Sequence, residues 1–270
     1  MRKVMILMLC YNRQPMVKRC LEHLFSHTAE PFDLLIMDDG SGLPIQRMLN
    51  ELEAMMMPGV TVVRNGTNLG IPNCIKAAQM YRRLGQHWLR IDSDVTMPDD
   101  PMWLTNMREI LETNMDGIAV LAYPGCGRAV IRSYPGCYES KARLSRPLTS
   151  DGRTEVDVWR LDRVAGGSLI HRTFMDGYRF PGHPTLKYGI ANDDAVAAYA
   201  GEHRYGLAYL REKSLPTWLD TQPLWKALCP ECEAYEHWKV AYIRGEDPGM
   251  FSPKELGNDV SPLRIIPRRE

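Results

Sequence analysis

Asp92-Ser93-Asp94 places two carboxylates one residue apart, directly after the run His87-Trp88-Leu89-Arg90-Ile91. A strand over that run would deliver both acids to its carboxyl end, where open α/β sheets bind ligands. Two carboxylates this close repel each other unless something positive sits between them. A hard divalent cation with bound phosphates meets that need. Mg²⁺ and Mn²⁺ prefer oxygen ligands and are often held by one or two carboxylates plus substrate phosphates. Taken alone, the triplet equally suits a solvated turn after a strand.

Three further segments belong at the same sheet edge. They are Cys10-Tyr11-Asn12-Arg13, Asp38-Asp39-Gly40-Ser41, and Arg64-Asn65-Gly66-Thr67-Asn68-Leu69-Gly70. In a parallel sheet such carboxyl ends converge into one crevice. That crevice would hold Tyr11 for stacking, Asp and Asn for hydrogen bonds to a base and ribose, Arg for phosphate, and carboxylates for metal. A nucleoside diphosphate site is the outline. No Walker phosphate loop is present, and no Gly-x-Gly-x-x-Gly follows the first apolar run.

The elements that must position these residues follow from periodicity. Val4–Leu9, Phe32–Met37, Val60–Val63, Trp88–Ile91 and Ile118–Leu121 read as strands. Between them, Pro15–Phe25, Ile45–Met56, Ile71–Leu84 and Pro101–Leu111 read as helices. Alternating β and α over this length predicts an α/β fold with a mostly parallel sheet flanked by helices. Residues 124–163 are rich in Gly, Pro, Arg and Ser without a clear period and read as a long irregular loop. A strand over Arg163–His171 broken by Gly166-Gly167, a helix over Asn192–Ala200 and a strand over Tyr205–Leu210 follow. Residues 211–270 read as a helix-and-loop tail packed on the domain.

Composition narrows the class. The 270 residues are 44% hydrophobic, with 33 basic and 33 acidic side chains and a formal net charge of +0. Such balance gives no global field toward nucleic acid or membrane. No apolar run approaches the ~20 residues that span a bilayer. The start reads as a buried first strand and not as a leader, because Tyr11-Asn12-Arg13 follows where a cleavage site would lie. Seven cysteines are an odd count that suits a reducing, cytoplasmic setting. Cys229-Pro230-Glu231-Cys232 with Cys126 and Cys137, and His237 nearby, could complete a zinc site. The second pair is widely spaced, which favours free thiols. Lys141, Arg143, Arg146, Arg153, Arg160 and Arg163 form a local basic cluster that suits either a solvated face or an anionic acceptor.

The ordered set Cys10-Tyr11-Asn12-Arg13, Met37-Asp38-Asp39-Gly40-Ser41, Asn68-Leu69-Gly70, Ile91-Asp92-Ser93-Asp94, Gly166-Gly167-Ser168-Leu169-Ile170 and Asn192-Asp193-Asp194 resembles family 2 glycosyltransferases of the GT-A fold. The resemblance covers roughly residues 3 to 210. It implies a GT-A catalytic domain over residues 1–210, with a nucleotide-sugar-binding half at 1–123, a smaller acceptor-side half at 124–210, and the tail beyond. It also implies a nucleotide-sugar donor, a UDP-sugar, with Mn²⁺ or Mg²⁺, and inversion at the anomeric carbon.

Carried across position by position, Asp39 matches the acid that holds the uracil ring, and Asp38 its neighbour. Tyr11, Asn12 and Arg13 match the loop around the base. Arg64, Asn68 and Gly70 match the segment near ribose and phosphate. Asp94 matches the direct metal ligand, and Asp92 a ligand nearer the ribose. The family's Glu-Asp pair before a helix is Asn192-Asp193 here, which makes Asp193 the expected general base and Asp194 its alternate. A late histidine often completes the metal shell in the family; His171, His183 and His203 are the candidates here. Two other functions stay open: a nucleotidyltransferase of similar fold, and a nucleotide-sugar or glycan-binding module without turnover. The acceptor is a glycan, a lipid-linked group or a nucleic-acid hydroxyl.

Overall fold

The computed structural model describes residues 3–114, 117–123, 136–145, 154–162, 167–182, 190–211 and 261–265, with the backbone alone at 190–192. The strands are β1 (Val4–Cys10), β2 (Phe32–Asp38), β3 (Val60–Arg64), β4 (Trp88–Asp92), β5 (Val120–Ala122), β6 (Tyr138–Arg143), β7 (Glu155–Leu161), β8 (Ser168–Ile170) and β9 (Leu207–Leu210). The helices are α1 (Gln14–His27), α2 (Leu43–Ala54), α3 (Ile71–Ala78), α4 (Trp103–Thr113), α5 (Arg172–Gly177) and α6 (Ile190–Glu202).

One sheet runs β3-β2-β1-β4-β8-β5-β9-β7-β6. Its strands β1 to β4 pair in parallel. Beyond them β8 is antiparallel to both β4 and β5, β9 is parallel to β5, and β7 and β6 close the sheet in antiparallel fashion. The chain steps from β1 outward to β2 and β3, then returns to place β4 on the other side of β1. That reversal opens a crevice at the carboxyl ends of β1 and β4. Register brings the ends level, with Leu9 opposite Asp92, Cys10 opposite Asp38, and Asp38 opposite Arg64.

Helices cover both faces, which is why the central strands are apolar without alternation. On one face Ile6, Met8, Leu34, Ile36, Leu89 and Ile91 meet α1, α2 and α4. On the other, Met5, Leu7, Leu35, Met37 and Trp88 meet α3, α5 and α6. Each large apolar side chain fully buried this way contributes about 1.5–3 kcal/mol. Thr28 ends α1 and its hydroxyl accepts from Trp103 Nε1 at 3.1 Å, tying that helix to the start of α4. Leu263 and Ile265 join the α1 face, and Lys18 Nζ donates to the Ser261 carbonyl at 2.6 Å. Residues 212–260 and 266–270 lie outside the described residues.

The irregular loop expected over 124–163 is corrected in part, because β6 and β7 form a hairpin there. β6 is an edge strand that exposes most of its side chains, so its sequence Tyr-Glu-Ser-Lys-Ala-Arg carries little apolar signal. Charged edges of this kind resist pairing with other chains. Lys141 pairs with Glu155 across the hairpin at 3.4 Å, and Arg160 donates to the Gly117 carbonyl. Arg146, Arg153 and Arg163 of the basic cluster lie outside the described residues. The helix expected to reach Leu84 ends at Ala78 and passes into a 3₁₀ turn, Gln79–Tyr81. There Asp176 captures Arg82 at 2.7 Å and the Gly85 N–H at 3.2 Å, pulling the chain off the helical path.

Gly40 joins two loops of the crevice. Its φ is +78°, and a Cβ there would lie 2.7 Å from the Thr67 carbonyl carbon. Gly40→Ala should destabilise the protein by more than ~1 kcal/mol, because both the left-handed backbone and the contact oppose a side chain. A urea midpoint unchanged by the substitution would contradict this packing of the two loops.

Candidate functional site

The crevice is built by hydrogen bonds between consecutive loops. Asn12 and Arg13 both take left-handed backbone conformations, at φ 52° and 53°. Such conformations are costly for residues with side chains and are held by their surroundings. Asn12 is held on both sides: its N–H donates to Ser41 Oγ at 2.9 Å, and its Oδ1 accepts from the Gly42 N–H at 2.9 Å. The Asp39 N–H donates to the Cys10 carbonyl at 2.9 Å, so three hydrogen bonds tie the end of β1 and its loop to the loop after β2.

Asp38 and Asp39 differ in role. Asp38 is fully buried and accepts from the Ser41 N–H at 3.2 Å and from Gln46 Nε2, which pins the turn after β2. Asp39 reaches the loop after β3. It accepts the Leu69 N–H at 2.7 Å, the Gly70 N–H at 2.9 Å and Asn65 Nδ2 at 3.2 Å. The Cys74 thiol also bonds to this carboxylate, so chain donors meet it from all sides. Gly70 has a φ of 81° and caps α3, where Pro72 follows in the first turn. Tyr11 and Asn68 are half-buried beside this loop cluster. Arg64 turns outward to α2, where Gln46 at 3.0 Å, Asn50 at 2.9 Å and Glu53 at 2.6 Å accept from its guanidinium.

On the other side of β1, Asp92 ends β4 and Asp94 follows in a turn. Arg13 Nη1 donates to Asp94 Oδ2 at 2.9 Å, with both side chains mostly shielded from solvent. The left-handed Arg13 thus bridges the β1 loop to the β4 loop. Asp92 and Asp94 form an oxygen-only donor set at a strand end, which fits a hard divalent cation.

Asp193 lies in the first turn of α6 and pairs with Arg90 of β4, Oδ1 to Nη1 at 3.1 Å. Burial pushes the Asp193 carboxyl up to about 6; Arg90 pulls it down, while Asp92 and Asp194 push it further up. Asp194 is exposed, and the side chain of Asn192 lies outside the described residues. Arg90 itself is 8% exposed. The sequence reading counted it as part of an apolar run. A charged residue in a strand buried on both faces was the signal available.

Of the candidate histidines, the two among the described residues, His171 and His203, do not join Asp92 and Asp94. His171 follows β8, whose Ile170 pairs with Trp88, so it sits at the amino end of β4. Asp92 is at the opposite end. His203 lies past the end of α6, its ring tilted against Tyr199 with centroids 4.0 Å apart. That is about 15 Å along the helix axis from Asp193. His183 lies outside the described residues, as do Cys126, Cys229, Cys232 and His237. Cys10, Cys20, Cys74 and Cys137 are free thiols.

His171 instead joins a cluster that sequence spacing did not signal. Glu112, in the last turn of α4, accepts from His87 Nε2 at 2.8 Å and Arg172 Nη2 at 3.0 Å, with His171 Nε2 at 3.7 Å. An acid at a helix C-terminus is disfavoured by the helix dipole, and these donors offset that cost. The ligand atoms lie close enough to hold a metal ion. The other ring nitrogens argue against one. His87 Nδ1 accepts the Arg172 N–H and His171 Nδ1 accepts the Thr173 N–H, each at 3.2 Å. Both neutral rings therefore carry their proton on Nε2, the atom a metal would need bare. The two imidazoles cap the N-terminus of α5 and point their protons at Glu112.

The arrangement of strands, helices and crevice defines a GT-A fold, a nucleotide-binding α/β architecture. The chain belongs to glycosyl transferase family 2, whose model matches residues 5–178, more than half of the chain. It is similar to S. aureus TarS 1–349, at 15% identity and TM-score 0.55, over 79% of this chain and 59% of that one. It is also similar to the mannosyltransferase PcManGT from Pyrobaculum calidifontis in complex with GDP-Man and Mn²⁺, at 16% identity and TM-score 0.54, over 79% of this chain and 55% of that one. A third likeness is to GalNAc-T7 with UDP, GalNAc and Mn²⁺, at 14% identity and TM-score 0.53, over 77% of this chain and 42% of that one. The chain thus spans less than two thirds of each of these structures. No curated protein sequence matches it.

Burial holds both rings of the His87–His171 pair below the usual imidazole range, His171 down to about 4. An unfolded chain binds protons on these rings below about pH 6.5, and the folded chain does not. Their contribution to stability is therefore present above that pH and is lost as pH falls toward 4. Thermal melts at pH 7 and pH 5 should show a lower Tm at pH 5. His171→Asn, which keeps a capping side chain, should reduce the difference; an unaltered difference would contradict the assignment. Asp193, with its raised carboxyl, works in the opposite direction over the same range, so the comparison between variants is what carries the test.

Proposed function

We propose that the chain transfers a sugar from a nucleoside-diphosphate donor, UDP by preference, to an acceptor hydroxyl with inversion. The observation that carries this reading is the Arg90–Asp193 ion pair. It joins the acid at the start of α6 to the strand that ends in Asp92-Ser93-Asp94. A carboxylate base and a cation-binding pair thereby share one strand.

In this reading Tyr11 stacks on the base, and Asp39 accepts the base N–H in place of a side-chain donor, Asn65 or Cys74. Asn12 and Asp38 hold the loop frame, while Arg13, Asn68 and Gly70 face the ribose and phosphates. Arg64 would have to leave its α2 partners to take part. Asp92 and Asp94 would hold Mn²⁺ or Mg²⁺, which when bound offsets charge on the leaving diphosphate. Arg13 keeps Asp94 oriented. Asp193 takes the proton of the acceptor hydroxyl, which is a poor nucleophile until a carboxylate removes it. A carboxyl near 6 is mostly ionised at neutral pH yet basic enough to accept that proton, and Asp194 is its alternate. The complexes of the similar structures with UDP-GlcNAc, with GDP-Man and Mn²⁺, and with UDP and Mn²⁺ support the choice of donor and ion.

Residues 1–123 would form the donor half and 124–210 the acceptor half. The pairing of Lys141 with Glu155 and of Arg160 with Gly117 leaves less of the basic cluster for an anionic acceptor. Among the described residues no helix is long and apolar enough to cross a membrane. The free buried thiols Cys10, Cys20 and Cys74 suit a reducing, cytoplasmic setting.

Asp193→Asn keeps the side-chain size and removes the proton acceptor. UDP release from UDP-sugars in Mn²⁺ should fall by about 100- to 10,000-fold. Calorimetry should show UDP affinity nearly unchanged. For the unaltered protein kcat/KM should rise with pH through about 6, because the base must lose its proton to act. Full turnover in Asp193→Asn, or UDP release undiminished in EDTA, would overturn the base or the metal role respectively.

A further inference from the structure

Arg90 marks where Asp193 meets β4, but the reaction as written gives it no task, and its placement is unusual. It is the third residue of β4, and its backbone is paired on both sides, opposite Leu7 of β1 and Ser168 of β8. Its side chain shares a sheet face with Trp88 and Asp92, since strand side chains alternate. On that face the neighbouring strand residues Met5, Leu7 and Ile170 are apolar core. A guanidinium buried there carries a desolvation cost of several kcal/mol, and an apolar residue of similar volume would commonly serve stability as well or better. The charge therefore needs an explanation beyond packing. Its ion-pair partner is Asp193, at 3.1 Å.

We propose that Arg90 is a positioning residue for the reaction: it fixes the Asp193 carboxylate over β4 and keeps it ionised, so that donor site and base are set by one strand. This rests on Asp193 being the base. Three features of the geometry support it. A guanidinium is rigid, planar and always charged, so it orients a carboxylate where a flexible lysine would not. Arg90 and Asp92 are two residues apart on one strand face, about 6.6 Å along the strand. Anchoring α6 to Arg90 thus sets the distance from base to donor carboxylate without any loop between them. Asp193 also has Asp92 and Asp194 as like-charged neighbours and is screened from water. A cation beside it favours the ionised carboxylate, the form that takes a proton from an acceptor.

The test compares Arg90→Met, Arg90→Lys, Asp193→Asn and the Arg90→Met/Asp193→Asn double variant. UDP release is measured from UDP-Glc, UDP-GlcNAc and UDP-Gal in Mn²⁺ across pH, with UDP affinity by calorimetry. Arg90→Met should lower kcat at pH 7 by at least about 10-fold, with KM and UDP affinity little changed. The rising limb of its pH profile should move to higher pH, and activity should return in part as pH rises. Arg90→Lys should lie between, and carries the test if Arg90→Met does not fold. In the Asp193→Asn background, Arg90→Met should cost little more, because both changes disable one unit. An unmoved limb and normal kcat in the Arg90 variants, with Asp193→Asn inactive, would overturn the role of Arg90 and leave the base intact. A loss of UDP affinity with an unmoved limb would assign Arg90 to the nucleotide and overturn the proposal. Full activity in Asp193→Asn, or no release by the unaltered protein with any donor, would remove the reading on which it rests.

Discussion

Carboxylates crowd one edge of this sheet, and their mutual repulsion is the constraint that the site is built to meet. Asp38, Asp39, Asp92 and Asp94 arrive there because β1, β2 and β4 are parallel and level at their carboxyl ends. Asp193 and Asp194 are added by α6. Four of these acids have a carboxylate partner supplied by the chain: Gln46 and a turn N–H for Asp38, the Leu69 and Gly70 N–H groups for Asp39, Arg13 for Asp94, and Arg90 for Asp193. Charge-assisted bonds of this kind are shorter and stronger than neutral ones.

The partners also add polar ties between elements that core packing and strand pairing already bring together. Asp39 joins the end of β2 to the start of α3. Arg13 joins the β1 loop to the β4 loop. Arg90 joins α6 to the middle of the sheet. At the far end of β4, Glu112 gathers His87 and the adjacent pair His171-Arg172 from two separate segments. The strand that carries the donor carboxylates is therefore held at both ends by polar networks and along its length by core packing. Pre-organisation of that sort costs nothing further when substrate arrives.

The parallel half of the fold was legible in the sequence because burial on both faces writes continuous apolar runs. Val4–Cys10 and Phe32–Asp38 are such runs, and their loops carry the motif residues. β6 was not legible, since an exposed edge strand pairs through its backbone and keeps a polar sequence. Asp38 and Asp39 read as one unit, but only the structure separates the acid that holds its own turn from the acid that reaches the next loop. Arg90 was concealed by its apolar neighbours. The His87–Glu112–His171 cluster left no trace, because its members lie 25 and 59 positions apart and meet only through β4, α4 and β8. His171 as a ligand near Asp94 was a reasonable expectation from chain order, and the antiparallel turn of β8 is what carries it to the wrong end.

The central claim is that the carboxylates at the end of β4 receive the cation and the diphosphate, while the histidine cluster at its start does not. A crystal structure of the full chain grown with UDP and Mn²⁺, with an anomalous difference map at the manganese edge, tests this most directly. The account predicts one peak within ligand distance of both Asp92 and Asp94, with UDP between Tyr11 and Asp39 and Asp193 still beside Arg90. Manganese between His87, Glu112 and His171, or UDP bound away from the carboxyl ends of β1 and β4, would contradict it.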